Sequence, residues 1–209
     1  MSYFPFFIEL DQKEGLIVGG GRVALGKVRR LLPYGPRLTV AAPRLLPDFY
    51  ALADITLLER PFASELVEGK FFVIAATGDV ALDRHISQLC RERDILVNAA
   101  DDREACTFLF PSLVKRGSLS VGVSTGGASP SMAAWLRGEI EELLPERTEE
   151  ILDFLQDQRP RIKASLPGEK RRAELFRALF EVCPEAGGPI SQSEVDAMLE
   201  AARSGEEEP

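Results

Sequence analysis

The sequence predicts an α/β protein: a doubly wound parallel sheet in the N-terminal part, then a small α+β region and a helical C-terminal part. Short apolar runs alternate with segments of helical spacing from Leu16 to about Phe110. Most of these runs are apolar at consecutive positions, which is typical of strands buried on both faces. Strands that alternate with helices predict right-handed βαβ units.

Six segments of the N-terminal part are predicted strands, because they are short and rich in β-branched and aromatic residues. They are residues 16–18, 38–40, 55–58, 71–76, 95–97 and 107–110. Two segments between them, Val23 to Leu32 and Ala81 to Arg91, have helical spacing. Residues 118–123 instead alternate strictly between apolar and small polar positions. This alternation predicts a strand with one lightly packed face, outside the first sheet.

Helical patterns dominate after residue 128. Ser129 and Pro130 predict the start of a helix that runs to about Leu144, because serine caps helices and proline suits their first turn. Ser191 with Glu194 predicts a capping box before a last helix. Two apolar stripes predict core-facing helices between them: Ile151, Leu152, Leu155 and Ile162, then Leu175, Phe176, Leu179 and Phe180. Composition changes near 113 and 146 predict three parts, 1–113, 114–145 and 146–209.

The charge balance argues against a nucleic-acid-binding protein. The 209 residues carry 25 Lys and Arg against 33 Asp and Glu, a net charge of −8, whereas nucleic-acid-binding domains usually have a basic excess. The three cysteines fit neither a disulfide framework nor a zinc site, so we expect a reducing cytoplasm and no protein-bound metal. The sequence predicts neither a signal peptide nor a membrane span.

The sharpest local motif is a glycine loop between the first predicted strand and the first predicted helix. Gly19, Gly21 and Ala24 form the pattern G-x-G-x-x-A. Gly19 permits a tight turn, Gly21 lets the backbone approach a pyrophosphate, and Ala24 lets the helix pack closely on the strand. The N–H groups at the helix start would face the phosphates. The context predicts a Rossmann dinucleotide-binding domain; the alternative is a glycine-rich turn without a ligand.

The acidic residue that commonly binds the ribose of the dinucleotide is missing. It is expected about 20 positions after the glycine loop. Here Pro43 and Arg44 follow the second predicted strand, and the first acidic residue is Asp48. Ribose recognition then relies on backbone groups or on Arg44. Because an arginine at this place can accept a 2′-phosphate, the sequence leaves NAD and NADP open.

Two carboxylates, Asp101 and Asp102, follow the fifth predicted strand. Ligands of open parallel sheets bind outside the carboxyl ends of the strands, so either carboxylate would lie near a bound nicotinamide. A carboxylate there can take a proton from a substrate that gives up a hydride. From spacing alone, a solvated Asp–Asp turn is the favoured alternative.

Three groups of segments carry a family resemblance. The first runs from Phe4 through the glycine loop to Lys27. The second joins Ala75–Ala76–Thr77 to Val97–Asp101, and the third joins Phe110–Pro111–Ser112 to Val123–Pro130. Together they resemble the dehydrogenase–ferrochelatase module of siroheme synthases over residues 3–145. The specific part of the match is a combination of two motifs. One is the Ala-Asp (A-D) turn that ends at Asp101, and the other is the S-x-G-G-x-S-P segment that ends at Pro130.

The resemblance implies a precorrin-2 dehydrogenase. Such an enzyme removes two hydrogens from precorrin-2, a tetrapyrrole with eight carboxylates, and gives sirohydrochlorin while NAD takes the hydride. The resemblance also implies that Asp101, rather than Asp102, is catalytic, and it reverses the preference for a solvated turn. Asp102 and Arg103 are expected to act in opposite directions on Asp101. The implied dinucleotide contacts are Gly19, Gly21, Arg22, Val23, Pro43, Arg44 and Thr77.

Some properties of the family stay open for this chain. Members are homodimers with interlocking middle regions, which implies that the strand at 118–123 pairs across a dimer. Some members also insert ferrous iron into sirohydrochlorin, and the sequence does not decide this activity. A third possibility is a dinucleotide-sensing module without chemistry of its own. Some members carry a phosphorylatable serine where this chain has Thr125, and we predict no modification there.

Four further residues are weaker candidates. Lys115, Arg116 and Arg137 could bind carboxylates of the substrate, with solvated surface charge as an equal alternative. The only histidine, His85, is predicted to be an ordinary residue of the second helix rather than a catalytic or metal-binding group.

Overall fold

The computed structural model describes residues 3–204, which form two compact units. The first unit contains the chain up to Pro111 together with Ser124–Ser129. The second contains Ser112–Val123 and the chain from Pro130 onward. The three-part division at 113 and 146 stays a prediction, and its last part also includes residues 205–209, which lie outside the described residues.

Five parallel strands form the sheet of the first unit. In chain order they are β1 (Glu14–Val18), β2 (Arg37–Ala41), β3 (Ile55–Leu58), β4 (Phe72–Ala75) and β5 (Leu96–Ala99). Their spatial order is β3-β2-β1-β4-β5, and every neighbouring pair is parallel. The strand order therefore reverses between β1 and β4, which opens a crevice at the carboxyl ends of these two strands.

Helices cover both faces of this sheet. Helix α1 (Arg22–Leu31) packs Ala24 and Val28 against the face that carries Ile17. Helix α2 (Val80–Arg91) packs Ile86 against the opposite face, which carries Leu16. All of these apolar side chains are almost completely buried. The predicted doubly wound sheet is confirmed, and its consecutive apolar runs reflect burial on two faces.

The prediction of a strand at 107–110 is wrong. At the edge of β5, the N–H groups of Thr107 and Phe108 both donate to the carbonyl of Val97 (2.8 and 3.4 Å), and the hydroxyl of Thr107 accepts from the N–H of Val97 (2.8 Å). A side-chain hydroxyl thus takes the place of the carbonyl that a sixth strand would offer. Phe108 and Phe110 are half-buried against the α1 side of the core, which accounts for the apolar pattern.

A β-hairpin opens the second unit. Strand β6 (Ser112–Arg116) pairs antiparallel with β7 (Leu119–Val123), and Gly117 with φ of +52° makes the turn. Helix α3 (Pro130–Leu143) packs on both strands. The strand predicted at 118–123 is confirmed as β7, but its partner β6 was not predicted. One edge of β7 is therefore occupied within the chain.

Three helices complete the second unit: α4 (Thr148–Ser165), α5 (Glu169–Glu185) and α6 (Gln192–Ser204). The predicted capping box is confirmed, because Glu194 accepts hydrogen bonds from the N–H and the hydroxyl of Ser191 (2.7 and 2.6 Å). Most residues of the predicted stripes lie in or beside the core, namely Leu155, Ile162, Leu175, Phe176 and Leu179. Ile151 is buried outside this cluster, and Phe180 is 51% exposed. The core consists of Ile162, Leu166, Leu175, Leu179, Val195 and Leu199. Within residues 3–204, none of the helices has the length and apolar character needed to cross a bilayer.

Candidate dinucleotide site and catalytic carboxylate

The first two glycines of the loop are required by packing. Gly19 has φ of +139°, and a Cβ there would lie 2.2 Å from the carbonyl oxygen of Ala76 and 3.4 Å from the nitrogen of Thr77. A Cβ at Gly20 would lie 1.9 Å from the carbonyl oxygen of Arg44. The loop is therefore wedged between the segments that follow β2 and β4. The packing role of Gly20 was not predicted, because it depends on a turn distant in sequence.

Gly21, by contrast, faces open space. Apart from its own chain neighbours, no heavy atom of residues 3–204 lies within 4 Å of the position that its Cβ would take. Gly21 is the N-cap of α1, it forms no side-chain cap, and the first turn of α1 contains no acidic residue. The first N–H groups of a helix have no intrahelical partner, so those of Arg22 and Val23 stay available to an anion. Ala24, 0% exposed, lets α1 pack closely on the sheet.

The turn after β2 lies beside the glycine loop. Pro43 and Arg44 are exposed, and the N–H of Leu46 donates to the carbonyl of Gly20 (3.0 Å). Asp48 forms an ion pair with Arg29 (3.1 Å). The first acidic side chain after the loop is thus engaged elsewhere, which leaves Arg44 as the charged group of this turn nearest to the glycines.

Thr77, which follows β4, is fixed by a buried carboxylate. Its hydroxyl and its N–H both donate to Oδ1 of Asp83 (2.7 and 3.2 Å). Asp83 is 5% exposed. Its burial raises its pKa above the usual range, the hydrogen bonds from Thr77 lower it, and the charges of Asp101 and Asp79 raise it. Sequence reasoning missed Asp83, whose only signal is a carboxylate one helical turn after the N-cap Asp79.

The two adjacent carboxylates after β5 have different surroundings. Asp102 caps the short 3₁₀ turn Arg103–Ala105 and accepts a hydrogen bond from Nε of Arg84 (2.7 Å). This hydrogen bond holds the pKa of Asp102 below its usual range. Asp101 is exposed, and its carboxylate has no hydrogen-bond donor among residues 3–204. Of the pair, Asp101 is therefore the one whose oxygens are available to a ligand.

The segment Ser124–Ser129 lies against the same turn. Gly126 and Gly127 have φ of +62° and +86°, and a Cβ at Gly127 would lie 3.5 Å from Arg103. Arg103 also lies over the ring of Tyr3, at 5.3 Å from the ring centroid. The hydroxyl of Thr125 accepts from the N–H of Ser129 (3.0 Å). The structure thus brings together the A-D turn and the S-x-G-G-x-S-P segment, which are distant in sequence.

Two polar groups near the end of β5 were not predicted. Asn98 is 5% exposed and donates to the carbonyl of Phe108 (3.1 Å), while its Oδ1 has no hydrogen-bond partner in the described part of the chain. Lys27 lies on α1 with Nζ 4.0 Å from the ring centroid of Phe110. Burial, reinforced by Arg30, lowers the pKa of Lys27 to about 8, and the charges of Cys106 and Asp101 oppose this shift.

The remaining candidates are exposed or engaged in other contacts. His85 is an exposed residue of α2. Arg116 and Arg137 both form ion pairs with Glu141 in the second unit, and Nζ of Lys115 donates to the carbonyl of Gly117. In residues 3–204, no group of three or more His, Cys, Asp or Glu side chains could hold a metal ion.

Two family models match the chain. One, described as "Putative NAD(P)-binding", matches residues 6–112. The other, described as "Sirohaem biosynthesis protein central", matches residues 116–143. The first covers the sheet with the glycine loop and Asp101, and the second covers β7 and α3.

Curated relatives and a solved structure agree with these matches. The siroheme synthase of Thioalkalivibrio sulfidiphilus is 38% identical over 206 residues, which are 97% of this chain and 41% of the relative. That of Salmonella arizonae is 40% identical over 177 residues, 82% of this chain and 39% of the relative. This chain therefore spans about two fifths of the length of these relatives.

The solved structure, "SirC, precorrin-2 dehydrogenase", superposes with a TM-score of 0.72 and 23% identity and covers 97% of this chain and 100% of that one. At this identity the likeness concerns the fold. The chain belongs to the family described as "Putative NAD(P)-binding", whose model matches residues 6–112, as its glycine loop predicts.

Proposed function

We propose that this chain is an NAD-dependent precorrin-2 dehydrogenase that forms sirohydrochlorin. The observation that carries the proposal is the exposed carboxylate of Asp101, at the same sheet edge as the glycine loop. The N–H of Ala100 donates to the carbonyl of Ala75 (2.9 Å), and that of Ala76 donates to the carbonyl of Val18 (2.8 Å). These bonds keep the carboxyl ends of β5, β4 and β1 side by side. The siroheme synthase relatives support the choice of substrate.

The residues of the loop fit a dinucleotide. Open space at Gly21 and an uncapped start of α1 suit a pyrophosphate, which needs close backbone approach and free N–H donors. When bound, NAD supplies the acceptor for the hydride. The residues that would hold it are Gly19, Gly21, Arg22, Val23, Ala24, Pro43, Arg44 and Thr77. We propose NAD as the cofactor. Because Arg44 could accept a 2′-phosphate, each assay is also run with NADP in a parallel sample.

Asp101 would take the proton that leaves with the hydride. Precorrin-2 loses two hydrogens: one departs with its bonding electrons as a hydride, and the other departs as a proton. A carboxylate that accepts no hydrogen bond from the protein keeps all its lone pairs for such a proton.

An anaerobic assay tests the proposal. Precorrin-2 is supplied with NAD, or with NADP in a parallel sample, and sirohydrochlorin formation is followed by absorbance. We expect turnover by the wild-type protein and none by Asp101→Ala, which should still bind NAD with nearly unchanged Kd. Nucleotide binding without turnover in the wild type would identify a dinucleotide-sensing module instead. Full turnover by Asp101→Ala would remove Asp101 from the mechanism.

The same assay extends to metal insertion. After oxidation, ferrous or cobaltous ion is added, and the metallated product is sought in the absorbance spectrum. Formation of this product faster than in a protein-free sample would assign the ferrochelatase step to this chain as well. In that reaction the tetrapyrrole nitrogens bind the metal, and the protein takes up their protons.

We also propose that the chain forms a homodimer through its second unit. Met132 and Trp135 of α3 are 52% and 59% exposed, and among the described strands β7 pairs only with β6. Large exposed apolar side chains and an unpaired strand edge are both typical of an interface. Light scattering after size exclusion measures the mass: about twice 23.0 kDa is expected, and Trp135→Glu should shift it towards the monomer.

A further inference from the structure

Lys27 is a half-buried cation that forms no ion pair within the described part of the chain. Its Nζ lies 4.0 Å from the ring centroid of Phe110, and no carboxylate among residues 3–204 forms an ion pair with it. Lys70 of the same unit gives the contrast: its side chain is 15% exposed, and its Nζ lies 3.1 Å from Glu14. Because burying a charge is costly unless it is paired, Lys27 lacks the partner that Lys70 has.

The surroundings of Lys27 locate its ammonium on the Asp101 side of the sheet edge. The groups that act on it from other elements are Asp101, Cys106 and the ring of Phe110, which all follow β5. On its own helix, Arg30 is the charged neighbour. Lys27 is six residues beyond Gly21, which corresponds to about 9 Å along a helix axis. Lys27 is therefore separated from the proposed pyrophosphate position, and its neighbours on other elements belong to the segment that carries Asp101.

We propose that Lys27 binds a carboxylate of the substrate and so places the tetrapyrrole beside Asp101. The inference rests on the proposed function, whose substrate carries eight carboxylates. An ammonium that contacts an aromatic ring on one side can still form an ion pair with one anion that approaches from solvent. A phosphate of the cofactor has the same ligand chemistry, so the test must separate the two sources.

A pH dependence follows from this role. Burial lowers the pKa of Lys27 to about 8 in the ligand-free protein, and a bound carboxylate would stabilise the ammonium and raise this pKa. Binding of the tetrapyrrole therefore takes up a proton when the pH is above about 8. Its affinity should fall as the pH rises through this value, since an increasing share of the free protein carries a neutral amine.

Binding titrations test the proposal, with sirohydrochlorin as the probe and absorbance as the readout. Lys27→Met keeps the length of the side chain and removes the charge, whereas Lys27→Arg keeps the charge. Lys13→Met is the matched control, because Nζ of Lys13 lies 5.5 Å from the centroid of the Phe71 ring but at the amino end of β1. Thermal melts confirm that each variant is folded, and a separate titration gives the Kd of NAD.

We expect Lys27→Met to raise the Kd of sirohydrochlorin and the KM of precorrin-2 about tenfold, the loss of one charge-assisted interaction. Lys27→Arg and Lys13→Met should change both constants by less than about threefold. The Kd of NAD should not change, and the pH dependence above about 8 should disappear in Lys27→Met. An unchanged Kd of sirohydrochlorin in Lys27→Met, or a loss of NAD binding instead, would overturn the inference.

Failure of the inference is distinguishable from failure of the proposed function. A wild-type protein that neither binds nor oxidises a tetrapyrrole overturns both. A wild-type protein that oxidises precorrin-2, with equal constants in Lys27→Met, overturns only the assignment of Lys27.

Discussion

Arg84 donates a hydrogen bond of 2.7 Å from Nε to Oδ2 of Asp102, and this contact distinguishes the surroundings of two adjacent carboxylates. Asp102 also accepts from the N–H groups of Glu104 and Ala105 (3.1 and 3.3 Å). We predict that Asp102→Asn keeps the proposed dehydrogenase activity, because an amide oxygen can still cap this turn. Asp101→Asn should lower kcat at least about a hundredfold, the usual scale for losing a general base.

Steady-state rates of Asp101→Asn and Asp102→Asn at saturating NAD test these two predictions. The free energy of unfolding in urea should fall by about 1 kcal/mol in Asp102→Ala, a typical cost of losing a cap, and hardly change in Asp101→Ala. Equal rates in Asp101→Asn and Asp102→Asn would contradict the assignment.

Gly21→Ala should abolish tight NAD binding without loss of stability. A Cβ at Gly21 meets no protein atom within 4 Å, so it occupies only the space proposed for the pyrophosphate. We expect the Kd of NAD to rise about tenfold or more, since the backbone can no longer approach the phosphates. Gly26→Ala is the control, because Gly26 also meets nothing within 4 Å but lies inside α1. That variant should gain about 0.5–1 kcal/mol in stability and bind NAD normally. Calorimetric titration decides between the two.

Gly20→Ala should lower the stability of the fold, in contrast to Gly21→Ala. Its Cβ would lie 1.9 Å from the carbonyl oxygen of Arg44, a backbone atom that cannot rotate away. The turn after β2 must shift, and we expect a loss of about 1–3 kcal/mol in the free energy of unfolding, the range for forcing extra atoms into a packed place. Urea denaturation measures it. An unchanged stability would mean that this turn adapts freely.

The sequence predicts the parts of the site that depend on local pattern. The glycine loop is visible because strand, turn and helix are contiguous. The apolar run before Asp101 and Asp102 points to both carboxylates, and only the family resemblance selects Asp101. Asp83 and Lys27 are not visible, since their importance arises from burial and from neighbours on other elements. The wrong strand at 107–110 has the same origin. Phe108 and Phe110 pack against the α1 side of the core. The local sequence pattern of such a packed segment is the same as that of a hydrogen-bonded β-strand.

Asp83→Asn should keep the turn after β4 and raise the stability at neutral pH. An amide oxygen can accept both hydrogen bonds from Thr77, and the substitution removes a buried charge near Asp79 and Asp101. Because the folded pKa of Asp83 is raised, the wild type loses stability as the pH rises from 3.8 through that pKa, and the variant does not. The difference between them should thus grow with pH over this window and then stay constant.

Urea denaturation at several pH values measures this difference. The control is Asp83→Ala, which leaves the N–H of Thr77 without its acceptor and should cost about 1–3 kcal/mol. If Asp83→Asn were as unstable as Asp83→Ala at neutral pH, the carboxylate charge itself would be the stabilising feature.

Lys27→Met should make the ligand-free protein more stable below pH 8. The folded pKa of Lys27 is lowered from 10.5 to about 8, so between these values the unfolded chain binds more protons than the folded one. The wild type therefore gains stability as the pH rises through this window, and below it the penalty is fully present. With partial exposure taken into account, the penalty is about 1–3 kcal/mol. Methionine fits the same space without charge, so the variant should be more stable by this amount at pH 7 and equal to the wild type near pH 10.5.

The control Lys13→Met should stay within about 0.5 kcal/mol of the wild type at every pH, as most surface substitutions do. A less stable Lys27→Met at pH 7 would show that the ammonium already has a stabilising partner in the folded chain. A more stable variant that also binds sirohydrochlorin poorly would indicate that the cost of burying this charge is tolerated for the sake of an anionic ligand.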